Sequence, residues 1–249
     1  MKVLGIIPAR YGSARFEGKP LADIYGKPMI QRVYEQAIKA IDVVYVATDH
    51  PQIYDAVKSF GGNVVMTNAD HETGTNRCLE ASIKIQESFS HNLVVNIQGD
   101  EPLLDPENLI ALLQIFVSDN SVEFGTLIKS IDSNTGKLEA GDGVYVTKTE
   151  NNEAILFSRS IIPFVRDYSK ENWTKQHAFF KHIGVYAYTV SALQKFAKLP
   201  KSKLEIAENL EQLRWLENGG KIKLALVEDK GIAVDTPEDL ERVLKRLKE

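Results

Sequence analysis

The chain has 249 residues, of which 43% are hydrophobic, and its 30 Lys and Arg against 34 Asp and Glu give a formal net charge of −4. This composition is ordinary for a globular protein, and the charge argues against a partner that is a nucleic acid or a membrane surface. No apolar run reaches the roughly 18 residues that span a bilayer, and the lone Cys78 cannot form an internal disulfide. We therefore expect a cytoplasmic protein from a reducing compartment.

The first half of the chain alternates apolar runs with segments of helical periodicity. The first of these runs, over 3–7, is nearly continuous and is typical of a strand buried on both faces of a parallel sheet. The remaining pattern predicts strands over 43–47, 63–66 and 93–97, and helices over 28–41, 51–60, 77–87 and 106–117. Such alternation indicates right-handed βαβ units on a mostly parallel sheet.

The second half is richer in strands. Its pattern predicts strands over 122–131, 144–147, 154–157, 180–188 and 221–227, a polar loop over 165–177, and helices over 204–218 and 236–247. We expect one α/β domain over 1–249, with a mixed-sheet insertion at about 122–200 that covers a site or forms a dimer surface.

A cationic loop follows the first strand and is the first candidate binding element. Three cations, Arg10, Arg15 and Lys19, are interspersed with two glycines. The carboxyl end of a buried strand is where open α/β sheets bind ligands, and such a loop can neutralise a triphosphate. It is not a Walker A loop, because its glycine spacing is one residue too long and Pro20 stands where Ser or Thr would bind the metal. A solvated basic loop is the alternative interpretation.

Acidic residues follow two later apolar runs, over 93–97 and 232–234. Asp100 lies just past the strand at 93–97, where a carboxylate that faces a phosphate loop is a natural Mg²⁺ ligand. Mg²⁺ commonly takes one or two carboxylates together with phosphate oxygens, so we expect a second acid, and Asp235 is the best candidate. The alternative for Asp235 is a helix cap, because it precedes Thr236 and Pro237.

Other candidates have weaker signals. Gly74 and Thr75 open a predicted helix, where backbone N–H groups hold an anion or a base edge, although a simple helix cap is equally compatible. Arg159, His182 and Tyr186 lie in the strand-rich segment, where a single His or Tyr is more often a core residue. The sequence has no Ser-His-Asp signature, no zinc-ligand spacing and no dinucleotide-binding glycine motif, which argues against those enzyme classes.

A series of motifs runs in order through the whole chain. They are the loop 8–21, Ala47-Thr48-Asp49, Gly74-Thr75, Gln98-Gly99-Asp100-Glu101-Pro102, Phe157-Ser158-Arg159, Lys181-His182-Ile183-Gly184, Leu210-Glu211-Gln212-Leu213-Arg214 and Val234-Asp235-Thr236-Pro237-Glu238-Asp239-Leu240. The series resembles that of the 3-deoxy-manno-octulosonate cytidylyltransferase family, the CMP-Kdo synthetases of lipopolysaccharide synthesis. This resemblance implies a Rossmann-like nucleotide-diphospho-sugar transferase fold and a homodimer.

The resemblance also implies a reaction, in which the C2 hydroxyl of an acidic 2-keto-3-deoxy sugar attacks the α-phosphorus of CTP and pyrophosphate leaves. Carried over motif by motif, the CTP phosphates would contact Arg10, Ser13, Arg15 and Lys19. The cytidine would lie by Gly74 and Thr75, and Mg²⁺ would be held by Asp100 and Asp235. The sugar pocket would be lined by Gln98, Arg159, His182, Tyr186, Glu211 and Gln212.

Several positions depart from the family pattern. Glu17 replaces a proline in the phosphate loop, and Asp142 and Tyr145 stand where the family usually has Asn and Lys. If that stretch touches the sugar, the pocket is more negative, which favours a sugar that carries an amino group. An 8-amino-3,8-dideoxy-manno-octulosonate is therefore an alternative substrate, as is another acidic nonulosonate-type sugar. A nucleotide-binding regulator without activity is a further alternative, but it would be expected to lose the two metal carboxylates.

Overall fold

The structure is a computed structural model and describes residues 1–12, 16–132, 137–141, 143–229 and 231–248. Its strands are β1 (Val3–Ala9), β2 (Asp23–Ile24), β3 (Lys27–Pro28), β4 (Val44–Thr48), β5 (Val64–Met66), β6 (Leu93–Asn96), β7 (Phe124–Ser130), β8 (Tyr145–Lys148), β9 (Ala154–Ser158), β10 (Phe180–Thr189) and β11 (Lys223–Leu226). Its α-helices are α1 (Met29–Ala37), α2 (Pro51–Ser59), α3 (Gly74–Ile85), α4 (Pro106–Ser118), α5 (Trp173–Gln176), α6 (Val190–Lys198), α7 (Lys203–Glu208), α8 (Gln212–Glu217) and α9 (Pro237–Arg246). None of the described helices is long and apolar enough to cross a membrane.

The chain forms two compact units. The first unit comprises Met1–Ile110, Ala187–Ala197 and Asp229–Glu249, and the second comprises Ala111–Tyr186 and Lys198–Glu228. The second unit overlaps much of the strand-rich segment predicted at about 122–200.

A parallel sheet of strand order β6-β1-β4-β5 forms the centre of the first unit. Ile6 of β1 is in register with Asn96 of β6 and with Tyr45 of β4. The β1 side chains are almost fully buried because the apolar run has a layer on each face, as predicted for a parallel strand. The predicted α/β fold with a mostly parallel central sheet is confirmed.

The second unit contains a mixed sheet. Strand β7 pairs with β11 in parallel, whereas β8 is antiparallel to both β9 and β10. A cluster of Leu138, Tyr145, Trp173 and Phe179 packs on one face of this sheet. The mixed pairing that we expected from the strand-rich segment is therefore present.

Two local predictions differ from the structure, and two elements were not predicted. The helix predicted over 204–218 is two helices, α7 and α8, because Asn209 adopts a left-handed conformation with φ of 52° and ends the first. The segment 165–177, predicted as a loop, contains a 3₁₀ turn and the short helix α5. Helix α6 was not predicted although Leu193 and Phe196 have helical spacing, and the hairpin of β2 and β3 was not predicted because each strand has only 2 residues.

A buried ion pair links α7 to α8. Arg214 donates from Nε and Nη2 to the two carboxylate oxygens of Glu205, at 2.8 and 2.5 Å, and both side chains are less than a tenth exposed. Arg214 also donates to the Leu199 carbonyl oxygen, which satisfies a further guanidinium hydrogen. A buried charge without its partner is strongly destabilising, so the two helices depend on this pair.

We expect Arg214→Met to lower the free energy of unfolding by about 3–5 kcal/mol, because it leaves the Glu205 carboxylate buried without its partner. The control is Arg242→Met, which removes an exposed pair to Asp239 and is expected to cost less than about 1 kcal/mol. Urea unfolding followed by circular dichroism measures both. Equal losses in the two variants would contradict the prediction, and the double variant Arg214→Met with Glu205→Met should recover much of the stability.

Candidate functional site

Lys19 lies at the centre of the candidate site in the first unit. Its Nζ is 2.8 Å from Asp100 Oδ2, 3.4 Å from Asp235 Oδ1 and 2.7 Å from the Val234 carbonyl oxygen. The Lys19 side chain is only 14% exposed, so solvent screens these contacts weakly. Three residues that the sequence analysis selected from distant motifs are therefore in contact, and two carboxylates converge on one cation.

Backbone geometry sets the position of Lys19. Gly18 has a φ of 68°, in the left-handed region that favours glycine, and its N–H donates to the Tyr11 carbonyl oxygen at 3.0 Å. Gly99 allows the acidic loop to approach β1, because a Cβ there would lie 3.0 Å from the Pro8 carbonyl oxygen. These two glycines bring Lys19 and Asp100 together at the carboxyl ends of the parallel strands.

Asp235 is not the N-cap of α9. Thr236 is the cap: its hydroxyl accepts from the Asp239 N–H at 3.3 Å, and Asp239 Oδ2 accepts from the Thr236 N–H at 3.1 Å. The capping box thus leaves the Asp235 carboxylate directed toward Lys19. The structure therefore excludes the interpretation of Asp235 as the helix cap.

Helix α3 opens with the predicted Gly74 and Thr75, three residues before the predicted start. Thr73 caps it by accepting from the Asn76 N–H at 3.2 Å, a cap that the helical periodicity alone could not locate. A Cβ on Gly74 would lie 3.5 Å from Pro8 Cγ, so the helix begins against the end of β1. The first-turn N–H groups of α3 therefore lie close to the strand that leads into the cationic loop.

Sequence reasoning missed a buried arginine in this helix. Arg77, only 3% exposed, donates to Asp49 Oδ2 at 2.8 Å and to Thr67 Oγ1 at 2.6 Å. It links the start of α3 to the segments that follow β4 and β5. The sequence signal that could have identified Arg77 is that it is a charged residue on a helix face that is otherwise buried.

A stacked pair was also missed. The rings of Tyr11 and His50 are 4.1 Å apart between centroids, with an interplanar angle of 19°. His50 precedes α2, and Tyr11 lies in the cationic loop directly after Arg10. The stack attaches the described part of this loop to the next βα connection.

For the other predicted residues of the first unit, the structure gives their position in the chain and their exposure. Arg10 is exposed directly after β1, and Gln98 is partly buried just after β6. Ser13 and Arg15, predicted to bind phosphate, lie outside the described residues.

His182 and Tyr186 lie together in the second unit. Their ring centroids are 5.3 Å apart, and Phe157 contacts the His182 ring edge-on at 5.2 Å. Burial lowers the pKa of His182 to about 3, so the imidazole is neutral at physiological pH. Burial also raises the pKa of Tyr186, and the nearby Glu211 carboxylate adds to that effect, which keeps the phenol protonated.

Arg159 is held by the end of helix α7. Its Nε donates to the Glu208 carbonyl oxygen at 2.7 Å and its backbone N–H donates to Glu208 Oε2 at 2.9 Å, while Ser158 donates to the other carboxylate oxygen at 2.6 Å. The guanidinium remains at an exposed position. Glu208 was not selected from the sequence, and it positions Arg159 from two sides.

Glu211 and Gln212 lie at the start of α8, shortly after the residues that hold Arg159. Gln212 is only 2% exposed, and its Nε2 has no hydrogen-bond partner among the described residues. An unsatisfied buried donor costs about 1–3 kcal/mol, which a ligand oxygen can recover. The second unit therefore brings together Arg159, His182, Tyr186, Glu211 and Gln212 through the ring contacts and the 208–212 segment.

Tyr145 does not belong to this group. It is in register with Lys181 on β10, whereas His182, the next residue, faces the other side of the sheet. Tyr145 is fully buried, and its hydroxyl donates to the Glu139 carbonyl oxygen and accepts from the Glu139 N–H. Lys181 Nζ lies 5.7 Å from its ring centroid, so a cation is present beside it. Tyr145 is thus on the opposite face of the sheet from His182, whereas Asp142 lies outside the described residues, so the effect of the two changes on the sugar stays a prediction.

Comparison with known proteins identifies the family to which the chain is similar. A family model described as Cytidylyltransferase matches residues 4–223. A 3-deoxy-manno-octulosonate cytidylyltransferase of Parabacteroides distasonis is 51% identical over 247 residues, which cover 98% of this chain and 97% of that protein. An 8-amino-3,8-dideoxy-manno-octulosonate cytidylyltransferase of Shewanella frigidimarina is 48% identical and covers 99% of both chains.

A solved structure is also similar over the full length. It is a CMP:2-keto-3-deoxy-manno-octonic acid synthetase in complex with CTP, with a TM-score of 0.89 and 40% sequence identity. The alignment covers 100% of this chain and 99% of that chain. The similarity therefore extends through both units.

The segment before α3 depends on one carboxylate. Glu80 accepts from the Asn68 N–H at 2.9 Å, pairs with Lys84 at 2.7 Å and contacts His71. Burial alone would raise the pKa of Glu80, but Lys84, the Asn68 N–H and His71 together lower it to about 2. The carboxylate thus fastens the 68–71 segment to α3 as long as it is ionised.

We expect this contact to make stability depend on pH at the acidic end. Because the folded-state pKa of Glu80 lies below its unfolded value, its contribution is complete above about pH 4.5 and is lost as the pH falls toward 2. Glu80→Gln should therefore lose less stability than wild type between pH 4.5 and 2 in urea unfolding. Glu87→Gln, an exposed change on the same chain segment, is the control, and identical pH profiles for wild type and Glu80→Gln would refute the assignment.

Proposed function

We propose that this chain, which belongs to the cytidylyltransferase family, transfers the cytidylyl group of CTP to 3-deoxy-D-manno-octulosonate (Kdo), giving CMP-Kdo and pyrophosphate for lipopolysaccharide synthesis. The observation that carries the proposal is the convergence of Lys19, Asp100 and Asp235 at the carboxyl ends of the parallel strands. The relatives named for this reaction are about half identical to the chain over almost its full length, which supports the same chemistry.

The two carboxylates fit a divalent cation. Asp100 and Asp235 both reach one positively charged atom, Lys19 Nζ, so their oxygens point to a common position. Among the described residues no group of three or more His, Cys, Asp and Glu is arranged around a metal. A pair of carboxylates completed by phosphate oxygens suits Mg²⁺, which would neutralise the charge that develops on the triphosphate.

The chain's own cations complete the nucleotide site in this proposal. Lys19 and Arg10 neutralise phosphate oxygens. Arg10 directly follows β1, and Lys19 lies further along the same connection, beside Asp100. Gly74 and Thr75 lie by the cytidine. Ser13 and Arg15, which belong to the cationic loop with Arg10 and Lys19, contact the phosphates. Binding and charge neutralisation account for the catalysis, since the in-line displacement needs little covalent help from protein.

The second unit supplies sugar-binding residues in the same proposal, and Gln98 keeps the sugar-binding role that the family resemblance implies for it. Arg159 pairs with the sugar carboxylate, for which a guanidinium is suited by its two parallel N–H donors. Gln212 offers a buried donor without a partner, and Tyr186 remains a protonated phenol. A homodimer and a cytoplasmic location belong to the proposal as well, on the basis of the family resemblance.

Plain Kdo is the proposed substrate, with the 8-amino sugar as the second candidate. A relative named for the 8-amino sugar is 48% identical to the chain. For this reason the experiment tests both sugars. The burial of Tyr145 beside Lys181, however, argues against one of the two changes that favoured an amino group. The test is release of pyrophosphate from CTP and Mg²⁺ with each sugar, with the CMP-sugar identified by mass spectrometry. A clear preference for the 8-amino sugar would overturn the assignment of Kdo as the substrate. No release of pyrophosphate with either sugar would overturn the proposed reaction.

We expect Asp100→Asn and Asp235→Asn each to lower kcat/KM by about 100-fold or more, because each removes a carboxylate charge that would hold the Mg²⁺ beside the reacting triphosphate. Asp55→Asn, at an exposed position on α2, should leave the rate unchanged. Steady-state pyrophosphate release at saturating sugar measures all three. Full activity in either site variant would show that the pair does not serve the reaction.

For Arg159→Lys we expect the KM of the sugar to rise about tenfold, because a lysine cannot form the paired contact with a carboxylate. The KM of CTP should not change. Arg166→Lys, whose side chain is 89% exposed, is the matched control. An increase confined to the KM of CTP would contradict the role given to Arg159.

A further inference from the structure

A buried hydroxyl next to His182 determines which imidazole nitrogen carries the hydrogen. Thr126 of β7 is fully buried, and its Oγ1 lies 2.7 Å from the Val185 carbonyl oxygen, 3.3 Å from the Ile183 carbonyl oxygen and 3.0 Å from His182 Nε2. A hydroxyl has one hydrogen, and carbonyl oxygens only accept. The hydrogen of Thr126 therefore points to Val185, and toward His182 the Thr126 oxygen can only accept.

It follows that Nε2 of His182 is the donor and carries a hydrogen. Burial keeps the imidazole neutral, so it has only that one hydrogen. Nδ1 then has a free lone pair, and no described residue forms a hydrogen bond with it. The ring is packed between Phe157 and Tyr186, which limits its rotation.

A neutral imidazole with an open Nδ1 has a defined binding preference. It accepts a hydrogen bond from a hydroxyl, and it disfavours a carboxylate, which has no hydrogen to donate. In a pocket for an acidic sugar, the carboxylate is thus left to Arg159, and His182 is left to a hydroxyl. Thr126 is itself fully buried, so it affects the sugar only through His182.

We propose that Thr126 is a positioning residue that holds the hydrogen of His182 on Nε2, so that Nδ1 accepts a hydrogen bond from a hydroxyl group of the sugar. The sugar half of this inference rests on the proposed function, whereas the tautomer half concerns the protein alone. The two halves are therefore tested separately.

The tautomer is measured by long-range ¹H–¹⁵N spectra of protein labelled with ¹⁵N-histidine, without substrate. The sequence has five histidines, and the loss of one signal set in His182→Gln assigns His182. We expect a single Nε2–H form from pH 5 to 8 in wild type and in Thr126→Ser, and a mixture of tautomers in Thr126→Val. An Nδ1–H or doubly protonated His182 in the wild type would overturn the proposal without any variant.

The kinetic test uses the same variants. Thr126→Val should raise the KM of the sugar about three- to tenfold, the value of one hydrogen bond, and should leave the KM of CTP unchanged. Thr126→Ser should restore the KM, and Thr147→Val, on β8 of the same sheet, should have no effect. A single tautomer and an unchanged sugar KM in Thr126→Val would refute the positioning role.

The two proposals fail in different ways. A wild-type protein with the Nε2–H form that releases no pyrophosphate with any octulosonate would contradict the proposed function while supporting the tautomer assignment. Monodeoxy analogues of Kdo test the remaining step: removal of the hydroxyl that His182 binds should weaken the wild type more than Thr126→Val. Equal losses for every analogue would show that Nδ1 binds no sugar hydroxyl.

Discussion

The ammonium of Lys19 joins three parts of the first unit that are far apart in the sequence. It pairs with Asp100 and Asp235 and donates to the carbonyl oxygen of Val234. Two carboxylates this close to one another would repel if the cation between them were absent. The loop after β1, the acidic loop after β6 and the residues before α9 therefore depend on one another, and the glycines at 18 and 99 permit the close approach.

Under the proposed function, the same contact would prepare the site for a charged ligand. The carboxylates are already directed to a common position, and the ammonium is largely shielded from solvent. A triphosphate with a divalent cation brings both signs of charge, so it can exchange partners with the ion pairs without leaving a buried charge uncompensated. A preformed arrangement of this kind reduces the cost of ordering side chains when the ligand binds.

In the second unit, neighbouring polar groups fix the orientation of the residues that are candidates for binding the sugar. Thr126 holds His182 through its hydroxyl, and Glu208 holds Arg159 through its carboxylate and its carbonyl group. The residues that would touch the sugar lie on strands and helix ends, and the residues that orient them lie behind. Precise sites are commonly built in this way, because a ligand contact that is free to rotate loses affinity.

Much of the fold and of the candidate site could be predicted from the sequence, because apolar runs and helical periods are local signals. The parallel strands, the long helices and the identity of Lys19, Asp100 and His182 as candidates came from such signals and from the motif series. The break at Asn209 could not be predicted, since the apolar period continues across it into α8. The identity of Thr236 and not Asp235 as the cap of α9, and the side of the sheet that Tyr145 faces, also needed the structure.

By itself, the sequence determined the α/β class, the order of most elements and the family, since those follow from local pattern and from motifs in order. Only the tertiary structure decided which selected residues meet. Ion pairs such as Lys19 with Asp235, and hydrogen bonds such as Thr126 with His182, join residues separated by 216 and 56 positions. Contacts of that kind depend on how strands align and on where a buried group finds its partner, and no local period in the chain encodes either.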